Sequence, residues 1–178
     1  LVDRLLYTKS GVTIPARLRW DGTDHKGQIV VDGTYNYYVE AWDDNGNLSK
    51  STDYIVEIDN EVPLIEATPV SYVFSPNGDG NKDNLVIEQK GSVEDFWEAE
   101  VLTSRGKQIV KFTWIEEAPT DFSWDGRTAD DFLAFDGVYS YRITSTDLAG
   151  NSSEKQINNI IIDTQATPIL VSVDKAEI

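Results

Sequence analysis

The chain has 178 residues, carries 15 Lys and Arg against 31 Asp and Glu for a formal charge of −16, and contains neither Cys nor Met. A surface this acidic repels phosphate backbones and anionic lipid, so nucleic acid and membrane insertion are set aside as partners. Five Trp, eight Tyr and six Phe supply apolar bulk for a core, which sets aside an extended disordered acidic segment. No apolar run reaches the roughly 20 residues of a bilayer span, no signal peptide is recognisable, and without Cys the redox compartment is not legible.

Strand periodicity runs the length of the chain. Ala16, Leu18 and Trp20 alternate with Arg17 and Arg19; Tyr35, Tyr37, Val39 and Ala41 alternate with Asn36, Tyr38 and Glu40; Tyr54, Val56 and Ile58 alternate with Ile55 and Glu57. A period of two places each first-named set on one face of a sheet. Asp32-Gly33 precedes the second of these strands, and Asp43-Asp44-Asn45-Gly46 has the composition of a tight hairpin turn. Glu94 to Ser104 is rich in Glu, yet Trp97, Ala99 and Val101 alternate with Glu98, Glu100 and Leu102, which predicts a strand. Phe122 and Trp124, then Tyr139, Tyr141 and Ile143, then Ile160 and Ile162 continue the scheme. No segment sustains a helical apolar period.

These elements recur at a constant offset of 104 positions. Trp20-Asp21-Gly22 returns as Trp124-Asp125-Gly126, Asp32-Gly33-Thr34-Tyr35-Asn36-Tyr37 as Asp136-Gly137-Val138-Tyr139-Ser140-Tyr141, Asp43 to Asn47 as Asp147 to Asn151, and Ile58-Asp59 as Ile162-Asp163. Of the 40 positions from 20 to 59, 13 are identical to their counterparts. What repeats is a folding unit of turns and strands. The expected fold is all-β, built of tandem antiparallel β-sandwich units: residues 1–62 a partial or rearranged unit, 63–167 a complete one, and 168–178 the start of a following repeat or a linker. Leu1 falls at the template's position 105, so the chain reads as an excerpt from a longer array. Trp20 and Trp124, and Tyr37 and Tyr141, are expected to be core equivalents. In the first unit an open sheet edge is expected, and Ile169, Val171 and Val173, alternating with Leu170, Ser172 and Asp174, form a strand fit for donation to a neighbouring molecule.

Trp20-Asp21-Gly22-Thr23-Asp24, Gly27, Asp32-Gly33-Thr34-Tyr35 and Asp43-Asp44-Asn45-Gly46-Asn47 resemble the bacterial Ig-like repeat of the flagellar hook-capping protein. Similar fibronectin-III-like repeats occur in the non-catalytic tails of secreted subtilisin-like proteases. The second copy departs where Gly27 becomes Asp131 and Thr23-Asp24 becomes Arg127-Thr128, and a differently shaped loop is expected there. The resemblance covers about Ala16 to Pro63 and Phe122 to Pro168, and it speaks to fold more than to function. Phe74-Ser75-Pro76-Asn77-Gly78-Asp79-Gly80-Asn81-Lys82-Asp83 resembles a signature near the start of Ig-like modules in secreted bacterial surface proteins. That resemblance implies an extracellular or cell-surface setting and a calcium loop.

The residues support the calcium expectation separately. Asn77, Asp79, Asn81 and Asp83 place oxygen-bearing side chains at alternate positions, with two glycines that let the backbone curl; calcium takes six to eight such oxygens. Glu88 is twelfth from Asn77, but Lys82 stands where an EF-hand has Gly, and Leu85-Val86-Ile87 is strand, so the segment is not an EF-hand. The competing expectation is an Asx- and Gly-rich turn without an ion.

No enzymatic activity is expected of the chain, although its 31 acids offer many carboxylate pairs of the kind used in glycoside hydrolysis. His25, the single imidazole, lies in a polar stretch without a second His or any Cys to build a zinc site. The repeated acids Asp21, Asp32, Asp43, Asp125, Asp136 and Asp147 are explained by turns, whereas catalytic groups would be singular. Trp42, Trp97 and Trp114 are candidate sugar platforms, with core or interface packing as the alternative. The expected role is a non-enzymatic spacer or adhesion module of a bacterial surface or secreted protein, touching neighbouring repeats of its parent chain and a surface protein or glycan. The alternatives are a carbohydrate-binding module using Trp42 or Trp97, an accessory domain of a secreted protease, and flagellar hook assembly.

Overall fold

A computed structural model describes Arg17 and residues 19–172. Ala16 and Leu18 of the first expected strand, and Val173 and Asp174 of the last, lie outside the described residues; Arg17, Arg19 and Trp20 of the one and Ile169, Leu170, Val171 and Ser172 of the other belong to no strand. The chain divides into two compact units, Leu1–Glu61 and Val62–Ile178. Among the described residues there is no helix. The fold is all-β, its sheets are open, and unit 2 is a β-sandwich.

Among the described residues unit 1 contains four short strands. β1 (Gly33–Tyr37) pairs antiparallel with β4 (Tyr54–Ile58), and β2 (Glu40–Trp42) with β3 (Leu48–Lys50). Between the two ladders the register shifts by one residue, and the gap is bridged through Ser51, whose amide donates to the Val39 carbonyl at 2.9 Å while its hydroxyl accepts the Val39 amide at 3.0 Å. Ladder pairing thus continues by way of a side chain where backbone geometry alone would leave a gap.

Unit 2 packs two sheets face to face. One has the order β10 (Phe122–Trp124), β7 (Leu85–Gly91), β5 (Ile65–Pro69); the other runs β6 (Val73–Phe74), β12 (Ser152–Ile162), β11 (Gly137–Thr146), β8 (Glu94–Thr103), β9 (Gln108–Glu117). All pairings are antiparallel except β6 with β12, which run parallel, the Tyr72 carbonyl accepting from Ile161 at 2.7 Å and the Phe74 carbonyl from Asp163 at 3.2 Å. The alternation read from sequence is seen directly in Trp97, Ala99 and Val101 of β8 and in Tyr139, Tyr141 and Ile143 of β11, all buried between the sheets, and Leu85, Ile87 and Gln89 of β7 are buried beside them with the same period. β12 breaks the period. Its register against β11 jumps between Tyr139↔Ile160 and Tyr141↔Ile157, and Asn159 takes φ 62, so a β-bulge returns Ile157 to the inner face along with Ile160 and Ile162.

Two polar side chains lie inside this core, Gln89 and Ser145, and both are hydrogen-bonded, the Ser145 hydroxyl donating to the Phe96 carbonyl at 2.8 Å. The Gln89 carboxamide donates to the Thr120 carbonyl at 2.7 Å and accepts from the Tyr141 hydroxyl at 2.7 Å. Burial pushes the Tyr141 phenol well above its ordinary range, against the opposing pull of the Gln89 hydrogen bond.

The pairing of core equivalents holds for unit 2 and fails for unit 1. Trp124 is 2% and Tyr141 0% exposed, whereas Trp20 is 37% and Tyr37 52% exposed, and no described side chain of unit 1 is buried. In unit 2 the inner face of β11 and β12 is covered by the opposite sheet of β10, β7 and β5; the described strands of unit 1, β1 to β4, correspond at the offset of 104 to β11 and β12, and no strand among the described residues corresponds to that covering sheet.

Candidate functional site

The two regions singled out by sequence, the repeated Trp-Asp-Gly turn and the Asn/Asp/Gly loop, meet in unit 2. Trp124 ends β10 and its indole N–H donates to the Arg127 carbonyl at 2.6 Å, while the Asp125 carboxylate accepts the Arg127 amide at 3.0 Å. Gly126 turns the chain with φ 79, a left-handed conformation suited to a residue without Cβ. A Cβ built there would lie 2.7 Å from the Pro76 ring, so Pro76, itself buried, seats against the glycine. Phe74 packs its ring 5.5 Å from Trp124. The Phe-Ser-Pro part of the loop signature is therefore an anchor onto the Trp-Asp-Gly turn, a role the sequence did not disclose because it joins residues about fifty positions apart.

The rest of the loop closes on itself. The amides of Gly78 and Gly80 donate to the two carboxylate oxygens of Asp83, each at 2.8 Å. Asn77 accepts the Asp79 amide at 3.0 Å; Asp79 accepts the Asn81 amide at 2.8 Å and the Asn77 side-chain amide at 3.2 Å. Ser75 donates its amide to the Lys82 carbonyl at 2.8 Å, closing the base, and Lys82 itself takes φ 55. All four expected calcium ligands thus share one loop, but each oxygen of Asp79 and Asp83 already accepts an N–H from within it. Among the described residues no group of three or more His, Cys, Asp and Glu is placed to hold a metal. Nested Asx turns account for this geometry without an ion, and Glu88 stands apart on β7. Calcium at this loop belongs with the proposals below.

Most of the turn hydrogen bonds of unit 2 recur in unit 1. The Trp20 indole donates to the Thr23 carbonyl at 2.7 Å, and Trp20–Tyr35 stack edge-to-face at 5.9 Å as Trp124–Tyr139 do at 5.8 Å. Tyr35 and Tyr139 each donate a hydroxyl to a carbonyl four residues back, Val31 at 2.6 Å and Phe135 at 2.7 Å. Asp32 and Asp136 accept the amides of Asn60 and Thr164 at 3.0 and 3.1 Å. Asp43 and Asp147 each accept the backbone and side-chain amides of Asn47 and Asn151. The Asn47 side chain holds the Asp43 carboxyl below its ordinary range, the Asn151 side chain does the same for Asp147, and the Thr23 hydroxyl for Asp21.

The loop expected to differ between the copies does not. Asp131 takes φ 63 where Gly27 takes φ 76, and its amide donates to Thr128 at 2.9 Å as that of Gly27 does to Asp24 at 3.0 Å. Short bridges Thr23↔Ile29 and Arg127↔Leu133 close both loops. Asp is among the residues that tolerate the left-handed region, and Arg127 steadies this one by donating to the Asp131 carbonyl at 2.8 Å.

Of the sugar-platform candidates, Trp97 is withdrawn: its ring is 0% exposed and its indole N–H donates to Ser92 at 3.1 Å inside the sandwich. Trp114 packs half-buried against the core, and Trp42 alone stands open, at 59% exposure. His25 is exposed in its loop.

Fold and loop together define a β-sandwich module whose turns are tied by carboxylates. No family model matches the chain, and no curated protein matches it. Among solved structures it is similar to that titled crystal structure of dimeric latent PorU from Porphyromonas gingivalis, at 13% identity and a TM-score of 0.41, over 76% of this chain and 13% of that one. The chain therefore spans 13% of that protein's length.

Proposed function

We propose that the chain is a non-enzymatic spacer or adhesion module of a bacterial surface or secreted protein. The observation that carries this reading is the recurrence of one set of turn hydrogen bonds in both units. Asp21, Asp32, Asp43, Asp125, Asp136 and Asp147 all accept backbone amides, so the most regular acids of the chain hold turns. A tandem Ig-like repeat sets reach and displays loops, which is a use for duplicated turns and none for duplicated reactive groups. The extracellular setting rests on the resemblance of residues 74–83 to surface-protein signatures.

Protease shaving of intact cells of the producing bacterium tests the placement. Release of this segment from unbroken cells is the expected result; release only after lysis overturns it. A carbohydrate-binding module is the second reading, favoured by the open ring of Trp42; glycan binding by the full chain that is lost in Trp42→Ala would put it first. Calcium held by Asn77, Asp79, Asn81 and Asp83 is a separate part of the proposal, supported by the spacing of their oxygens.

A further inference from the structure

We propose that the loop from Arg127 to Asp136 docks onto a protein surface offering an apolar pocket rimmed by Lys and Arg. Three apolar side chains stand open within four positions of this loop: Phe132 is 72%, Leu133 50% and Phe135 88% exposed. Two phenyl rings held in water on one loop are costly unless something covers them.

The loop presenting them is fixed. Thr128 donates its amide to the Phe132 carbonyl at 2.8 Å, Asp131 to Thr128 at 2.9 Å, Ala134 to Gly126 at 2.8 Å, and Ala129 to Ile109 of β9 at 3.1 Å. Rings on a fixed loop lose little further freedom on binding, which is the condition for an aromatic anchor.

Unit 1 is an internal control. Its counterpart loop makes the corresponding hydrogen bonds among Gly22, Asp24, Gly27, Gln28 and Val30 with Gln28, Ile29 and Val31 where unit 2 has Phe132, Leu133 and Phe135. Neither phenyl ring is therefore needed to form the turn.

Charge selects the occupant. Asp125, Asp130, Asp131 and Asp136 lie within the stretch 125–136, whose own sequence carries one cation, Arg127, itself drawn to Asp125 at 3.5 Å and Asp131 at 3.4 Å. A second copy of a chain with formal charge −16, or an anionic lipid surface, brings like charge to this rim. A pocket edged with Lys and Arg pairs the carboxylates while it covers the rings.

The test uses the full chain, labelled for amide NMR and titrated with a synthetic peptide of alternating Lys and Leu. Phe132→Gln with Phe135→Val takes its side chains from the unit 1 loop. Expected are shifts centred on residues 128–136, affinity that falls with salt, and a dissociation constant raised about tenfold or more in the double variant, with its Tm unchanged. Absence of binding, equal shifts at residues 24–31, or an unaltered affinity in the variant overturns the proposal. So does Phe-dependent adsorption to phosphatidylcholine vesicles, a dimer that the variant abolishes, or a variant that melts several degrees lower.

Discussion

The two tryptophans of the repeat provide a matched pair for measuring what cover is worth. Trp124→Ala removes a ring that is 2% exposed and lies 5.5 Å from Phe74 and 5.8 Å from Tyr139. A large aromatic buries about 150–250 Å², or about 4–6 kcal/mol at about 25 cal/mol per Å², an upper bound because the unfolded chain is itself partly collapsed. Measured Trp→Ala losses of about 3–5 kcal/mol are the better guide. Trp20→Ala removes a ring that is 37% exposed beside one aromatic neighbour, Tyr35, and leaves a dent open to water instead of a closed cavity. About 2 kcal/mol is expected there. Both indoles donate the same hydrogen bond, at 2.6 and 2.7 Å, but the carbonyl left by Trp124 is part-buried and that left by Trp20 is open to water, which widens the difference in the same direction. Because two units need not unfold together, amide hydrogen exchange resolved by unit is the proper assay, read on β10 to β12 for one variant and on β1 to β4 for the other. Equal losses, or a larger loss for Trp20→Ala, would refute the argument that covering strands, and not the repeat motif, set the energy.

Gly126→Ala is expected to destabilise more than Gly22→Ala by at least about 1 kcal/mol: both sit near φ 78–79, but a Cβ meets Pro76 at 2.7 Å in the first case and nothing within 4 Å in the second, and denaturant midpoints compare them. Without calcium, Asp83→Ala should cost about 1 kcal/mol, since two exposed amides lose their acceptor; calorimetric calcium uptake by the wild type that vanishes in Asp79→Ala would support the ion. Tyr141 ionises above its unfolded range, so the folded state holds its proton longer, and the stability this contributes is present below about pH 10 and is lost as pH rises further. Absorbance of tyrosinate should show one ring titrating only on alkaline unfolding. Tyr141→Phe, which strands the Gln89 carbonyl oxygen, should lower the denaturant midpoint by the equivalent of about 1–3 kcal/mol.

Strand positions were legible because alternation is local: Trp97, Ala99 and Val101 face inward as their spacing required, despite the surrounding Glu. The turns were legible because Asp, Asn and Gly act on neighbours two to four residues away. Burial was not, since it depends on which distant strand lies opposite; identical Trp-Asp-Gly motifs give an open Trp20 and an enclosed Trp124. Asp131 matching Gly27 was hidden for another reason, that Asp tolerates positive φ when a guanidinium steadies its carbonyl. In the Asn77–Asp83 loop the spacing identified the right residues, and the hydrogen bonds that engage their oxygens appear only once the chain curls.

The parallel pairing of β6 with β12 governs how unit 2 responds to tension. β6 lies near the point where the chain enters the unit and β12 near the point where it leaves, and the two run side by side in one direction. A pull along the chain drags them past each other lengthwise, so the Tyr72–Ile161 and Phe74–Asp163 bonds are strained together in shear. An antiparallel hairpin in that place would peel open one bond at a time, at lower force.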